Sequence, residues 1–431
     1  MKKFLSVLLT LALLLSCAAL PVLAEGDVVE VKYLSSTILE KPEGVFEQQM
    51  VDKFNETHPG IHVTVEGCAA NDLDSKLVAL AAANELPAFV MGAETVMASL
   101  VDTERVVPAA DLLDQEYIDG FVEANRASYT IDGKMIGIPY FGGAQGIIYR
   151  KDVFDELGLK EPTNWDEFVQ VCQALTRDTD GDGAIDTWGI TLVGTKNASG
   201  AGRFQPIIHN FGCDEFTKGE DGKWTTDIGS ENFTKALEAF TDLNNKYGVV
   251  PAGVIETGYP EAVALFTSGQ ASMIITGSNA IGAIVAQAPE LDGKLASMPN
   301  IPVERCVSSA GGFAFFITSQ EEVVQKAALE YIKFFLEADN ELDFAELTGR
   351  VPVRTEALQN ERVANIPSLA GFLKALENVW LAPSIPGYSE INDILGEAYQ
   401  AVFTGTMTAA EASAHAGERA QQIVDAANEG W

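Results

Sequence analysis

Histidine is scarce in this chain. His58, His62, His209 and His415 are all it has, and no pair has the HExxH spacing of a metallohydrolase. A G-x-S-x-G turn and a Walker A loop are also missing, which removes two common hydrolase and nucleotide-binding signatures. Cysteine is sparse and scattered: Cys68, Cys172, Cys213 and Cys306 follow the N-terminal region without a CxxC pair. That spacing argues against zinc-ribbon and thioredoxin chemistry. Basic residues are few, 28 Lys and Arg against 62 Asp and Glu, so the formal net charge is −34. Such a surface repels nucleic acid and anionic lipid headgroups. Beyond the N terminus no apolar run approaches the ~18 residues of a membrane helix.

The N terminus itself reads as an export signal. Lys2 and Lys3 are positive, Phe4 to Leu15 is apolar, and Val22 and Ala24 are small residues placed for cleavage before Glu25. A signal peptide over 1–24 is expected. The alternative is a lipoprotein signal over 1–16, with Cys17 of Leu14-Leu15-Ser16-Cys17 as the lipidated residue. Bulky Leu15 and the apolar stretch Ala18 to Ala24 favour the first reading. Either one places the protein outside the cytoplasm: secreted, periplasmic, or lipid-anchored at the outer membrane face.

The remaining chain of about 405 residues exceeds one ordinary core and predicts two lobes. Val28 to Leu34 reads as a strand, Val45 to Thr57 as a helix stopped by His58-Pro59-Gly60, and Ile61, Val63 and Val65 as a second strand. A helix over Asp74 to Asn84 and a strand over Phe89 to Met91 follow. The β-α-β-α-β order predicts a mostly parallel sheet with helical cover. Further along, Asn164 with Glu167 and Ser319 with Glu322 have the spacing of capping boxes. Cys172 falls on the apolar stripe of the first of these helices and reads as a core residue.

Five blocks carry a resemblance to a known family. They are Phe46 to Val65, Leu77 to Val90, Gly133 to Leu157 (GKMIGIPYFGGAQGIIYRKDVFDEL), Pro162 to Gly189 (PTNWDEFVQVCQALTRDTDGDGAIDTWG) and Phe266 to Gly277 (FTSGQASMIITG). In order and spacing the chain resembles the extracytoplasmic solute-binding proteins of ABC importers, in the maltose- and glycerol-phosphate-binding group. It departs from the family pattern at Ala88, Arg150 and Ser278-Asn279. The resemblance implies an α/β periplasmic-binding-protein-like fold: two lobes, a multi-strand hinge and a ligand cleft between the lobes. The implied N-terminal lobe is 27–141 plus 310–345, and the C-terminal lobe is 146–305 plus 349–431. The crossings are expected near Tyr140 to Gly146, Ile301 to Gly311 and Asn340 to Gly349. The implied partners are a small carbohydrate-like ligand and the permease subunits of an ABC transporter, with the receptor a monomer and no cofactor required.

Sugar recognition combines aromatic faces with polar groups for hydroxyls. At the first crossing, Tyr140 and Phe141 supply rings and Gln145 an amide. Glu94 and the pair Gly277 and Asn279 each follow a strand, where α/β sheets present ligands. Gly312 allows close backbone approach. Arg350 can grip an oxyanion. Trp380 and Tyr388 sit in a Pro-rich loop, and Phe204 completes the expected binding set. No catalytic residue is assigned. An exported carbohydrate-active enzyme and a ligand-presenting sensor protein are the alternative readings.

The most specific local motif is Asp178-x-Asp180-x-Asp182-Gly183-x-x-Asp186. It follows an EF-hand-type calcium loop, with the Ala184 carbonyl at the seventh position. Gly189 stands at the twelfth position, where a bidentate glutamate belongs. A structural Ca2+ ion and an Asp/Gly-rich turn without metal are the two readings of this loop.

Overall fold

The computed structural model describes residues 28–429 except residue 384, without the side chains of residues 71, 94, 95, 98, 102 and 310. The expected signal peptide and Cys17 lie outside the described residues. Eight strands form one sheet: β1 (Val29–Ser35), β2 (Ile61–Gly67), β3 (Phe89–Gly92), β4 (Ile138–Arg150), β5 (Met273–Gly277), β6 (Leu295–Pro299), β7 (Ser308–Ile317) and β8 (Val379–Trp380). No helix among the described residues is long and apolar enough to cross a membrane.

Local chemistry accounts for the first elements. The helix Glu43–Thr57 buries Phe46, Met50, Val51 and Phe54 on one stripe. It stops where the His58 N–H bonds back to the Phe54 carbonyl. The next helix, Ala70–Ala83, ends on Asn84 in the left-handed conformation, φ 60°. The Asn164 box closes as its spacing requires: the Asn164 carboxamide accepts the Glu167 N–H at 2.9 Å. The return bond lands one residue earlier, with the Glu167 carboxylate accepting the Thr163 N–H at 2.8 Å. The second box does not form. The Ser319 hydroxyl accepts the Glu321 N–H instead, and the helix Glu322–Phe335 starts from Glu321.

The parallel arrangement holds for β2, β1 and β3. Every other pairing in the main sheet is antiparallel, apart from a short parallel contact of β8 on β7. β4 and β7 run against their neighbours: β7 pairs antiparallel with β3, and β4, which serves both lobes, pairs antiparallel with β5, β6 and β7. The first half of β4 pairs with β7, and its second half, from Gln145 onward, pairs with β5 and β6. At the turnover point β7 has Gly312 at φ 154°, where a Cβ would stand 2.2 Å from the Phe141 carbonyl oxygen. Only glycine fits there.

Separate cores lie on either side of this crossing. One packs Tyr33, Phe54, Phe89, Phe315, Tyr331 and Phe335. Another packs Phe168, Cys172, Phe204, Phe233, Phe240 and Tyr399. Each such ring removed from water contributes about 1.5–3 kcal/mol. The third crossing is a helix, Ala338–Thr348, rather than a strand. Its Phe344 joins the first core, while Leu342 and Ala345 join a core of the second lobe with Ile274 and Phe372. Cys68, Cys172, Cys213 and Cys306 are free thiols.

Candidate ligand cleft at the lobe crossing

Where β4 changes lobes, its backbone is fixed by side chains from two other segments. The Gln145 N–H donates to the Ser308 hydroxyl at 2.7 Å, and the Gln145 carbonyl accepts from the Asn300 amide at 3.1 Å. Gln145 lies opposite Gly277, the last residue of β5. Its side-chain Nε2 donates to the Gly202 carbonyl at 3.0 Å, which leaves Oε1 buried without a partner. Beyond Gly277 the Ser278 hydroxyl is also buried and unpartnered, and Asn279 is half-buried at the head of the helix Ala280–Gln287. Across the crossing, Ser36 follows the carboxyl end of β1 and its hydroxyl is unpartnered as well. Buried polar groups normally find partners, and Gln145, Ser278 and Ser36 each stand at or just beyond a strand end with an atom that has none.

Two partly exposed rings stand on the second lobe. Trp380, in β8 beside Ser309 of β7, packs 4.2 Å from the His209 ring. The Tyr388 hydroxyl donates to Glu215 at 2.7 Å and accepts from Gln205 at 3.0 Å. Burial pushes the Glu215 carboxyl up. Its neighbour Asp214 is held well below the usual carboxylate range, first by the His209 hydrogen bond and then by Arg305.

Arg203, which no sequence pattern singled out, enters the same region from the helix Ala198–Asn210. Its Nη1 donates to the Ser199 carbonyl at 2.8 Å and hydroxyl at 2.7 Å, and Nη2 lies 3.4 Å from the Thr276 hydroxyl. The guanidinium stacks 4.4 Å over the Tyr259 ring. Arg203 sits among the small residues Ser199, Gly200, Ala201 and Gly202. Of these, Gly200 is required by the chain itself, since a Cβ there would stand 2.3 Å from the Thr195 carbonyl oxygen and the Tyr399 hydroxyl.

Several expected site residues lie elsewhere. Tyr140, Phe141 and Phe204 are core residues, at 2%, 1% and 0% exposure. Tyr140 packs against Phe315, Phe335 and Phe344, and Phe204 against Phe233 and Phe240, so neither presents a ring face to a ligand. Phe141 lies under Arg350. Arg350 itself is occupied by Glu43, with Nε and Nη2 both 2.9 Å from the same carboxylate oxygen. Gly312 acts through backbone fit alone. Glu94 begins the helix after β3, and its side chain lies outside the described residues.

A cavity of about 310 Å3 opens between Glu30, Lys32, Pro87, Ala88 and Ser319. These residues mark the amino ends of β1 and β3, the sheet edge remote from the crossing. The loop 178–186 is a third feature. Carboxylate oxygens of Asp178, Asp180 and Asp186 lie within 4.8 Å of one another. Asp182 is turned onto the Ala184 N–H at 2.7 Å and stands apart. Position 189 has no room for glutamate, because a Cβ there would meet the Cys172 backbone at 2.3 Å. Three converging carboxylates fit a hard divalent cation, without the bidentate ligand of a tight site.

The family described as bacterial extracellular solute-binding protein matches residues 49–371. The sn-glycerol-3-phosphate-binding periplasmic protein UgpB of Rhizobium meliloti is 24% identical over 420 residues, covering 88% of this chain and 90% of the relative. The mannitol-binding protein of Pseudomonas aeruginosa is 25% identical over 324 residues, covering 73% and 65%. Among solved structures, the maltose-bound MalE3 of T. maritima superposes with a TM-score of 0.75 at 21% identity, over 92% of this chain and all of that one. That likeness establishes the two-lobed fold.

Proposed function

The chain belongs to the bacterial extracellular solute-binding proteins, and from that premise we propose that it captures a sugar or sugar-like solute and delivers it to the permease of an ABC transporter. The observation that carries the reading is the set of unspent polar atoms at the crossing: Gln145 Oε1, Ser278 Oγ and Ser36 Oγ. Partly exposed Trp380, beside Ser309 of β7, offers a ring face that suits the apolar side of a sugar ring. Gln145, Gly277, Asn279, Trp380 and Tyr388 remain the proposed contacts of the second lobe, with Glu94, at the start of the helix after β3, and Ser36, after β1, proposed from the first. A ligand touching both lobes favours the closed arrangement by its extra contacts in that state. Relatives that bind glycerol phosphate and mannitol support a polyol-like ligand.

Isothermal titration against a panel of sugars, polyols and sugar acids tests the reading, with small-angle scattering alongside. One class should bind and shrink the radius of gyration without being consumed. Product formation in the same samples would favour the exported-enzyme alternative. Binding without any effect on transport by a reconstituted permease would favour the sensor alternative.

The loop 178–186 is the proposed seat of a structural Ca2+ ion, held by Asp178, Asp180, Asp186 and the Ala184 carbonyl. Its role is to offset carboxylates that repel one another. With the bidentate ligand missing, affinity falls in the range of extracellular modules, about 10⁻⁴–10⁻³ M. Millimolar Ca2+ should raise the melting temperature by a few degrees, and chelator should reverse it. Asp178→Asn should abolish that response. A melting curve indifferent to both reagents would leave the loop as a turn without metal.

A further inference from the structure

We propose that the captured solute carries an oxyanion, a carboxylate or phosphate on a sugar or polyol, and that Arg203 binds it. This rests on the receptor reading above and specifies its ligand class.

Arg203 is a partly buried cation without a counterion. Among the described residues no carboxylate forms an ion pair with its guanidinium, in a chain with 62 acidic residues. Its partners are all neutral: Ser199, Thr276 and the Tyr259 ring. Its Nε–H is buried without an acceptor. Arg150 and Arg350, comparably enclosed, hold carboxylates at 2.6 and 2.9 Å. A guanidinium withdrawn from water without an opposite charge is costly, and such groups persist where the missing charge arrives with a ligand. Tyr259 and Ser199 hold the fork in place while leaving donors free, which is the preorganisation an oxyanion site needs.

The surroundings select more than charge. Gly202, next in the chain, accepts from Gln145, and Thr276 stands two residues before Ser278. The free Gln145 Oε1 is an acceptor and would repel an anion, so it suits a hydroxyl. The Ser278 hydroxyl can serve either group. One cation, one acceptor and one hydroxyl at the end of β5 therefore describe an acid group and its neighbouring hydroxyls on one molecule. Bulk electrostatics work against an anion, since the net charge is −34. Discrimination must then come from short contacts at Arg203 rather than from steering.

Calorimetry with the intact mature protein tests the proposal. The probes are galacturonate and digalacturonate for carboxylates, glucose 6-phosphate and glycerol 3-phosphate for phosphates, and glucose and maltose as neutral arms. One anionic pair should bind at least about tenfold tighter than the neutral sugars, and which pair wins identifies the oxyanion. Arg203→Gln should weaken that anion by about 10- to 100-fold, the usual worth of a hydrogen bond to a charged group. Arg203→Lys should restore part of the loss. The ligand-free melting temperature of Arg203→Gln should equal or exceed that of the wild type, because an uncompensated charge has gone. A structural role for Arg203 would lower it. Neutral sugars binding as tightly as acids, or Arg203→Gln leaving anion affinity unchanged, overturns the oxyanion proposal and leaves the receptor reading standing. Silence of every compound in the wider panel overturns the receptor reading itself.

Discussion

Arg350→Met is expected to cost about 3–5 kcal/mol of folding stability and to leave ligand affinity within a fewfold of wild type. The Arg350 side chain is 14% exposed and that of Glu43 is 5% exposed. Removing the arginine strands a carboxylate at the start of the helix Glu43–Thr57 with little water to solvate it. The loss includes packing, since the guanidinium covers the Phe141 ring at 4.3 Å. Glu40, 4.0 Å from Arg350, is a second acid that cannot neutralise Glu43 and repels it once the arginine is gone. The pair joins the segment after the third crossing to the first lobe, so its loss also loosens the hinge. Glu43→Gln alone should be costly for the mirror-image reason. The double variant Glu43→Gln, Arg350→Met should recover a large part of the deficit, because neither charge is then left alone. Urea unfolding of the three variants decides it. A normal midpoint for Arg350→Met together with weakened ligand binding would return Arg350 to the contact set inferred from the sequence.

That reassignment illustrates what the sequence could and could not convey. Helix stops and caps depend on contiguous residues, so His58-Pro59-Gly60 and the Asn164 box were legible. Local strand patterns located β1, β2 and β3 for the same reason. Whether a face meets a core or a cleft depends on distant chain. Tyr140 and Phe204 have the composition of sugar-stacking residues, yet rings from Phe344 and Phe240, far along the chain, enclose them. Ser319 shows the converse: the box spacing was present, but the hydroxyl was taken by the Glu321 N–H. The crossing near Asn340 to Gly349 was implied by the resemblance as part of a multi-strand hinge, and it is the helix Ala338–Thr348, whose apolar residues divide between two cores. Arg203 escaped notice because its meaning lies in a missing partner, and no spacing rule encodes that.

The second large effect is a stability that declines as pH rises through neutrality. Glu47 lies in the helix Glu43–Thr57 at 1% exposure, beneath the end of β1. Its carboxyl accepts from the Tyr33 hydroxyl at 2.8 Å, the Thr37 hydroxyl at 2.8 Å and the Ser35 hydroxyl at 3.0 Å. Burial outweighs these hydrogen bonds and pushes the carboxyl up to about 7. Because the folded value lies above the unfolded one, the native state holds the proton more tightly. The resulting stability is fully present below the ordinary carboxylate value and is lost as pH rises through about 7. A rise from 4.5 to about 7 corresponds to about 3 kcal/mol. Glu341, pushed up to about 8 by burial, adds to the slope in the same direction. Glu47→Gln separates the two contributions. Glutamine nearly matches the shape, and the three hydroxyls can rotate to accept from its amide as well as donate to its carbonyl. The variant should be as stable as the wild type near pH 5 and about 3 kcal/mol more stable relative to it near pH 9, with a shallower decline between. Urea midpoints across that range give the answer. Parallel curves for the two proteins would mean that Glu47 is ionised in the native state throughout, its charge carried by the hydroxyls of Tyr33, Ser35 and Thr37.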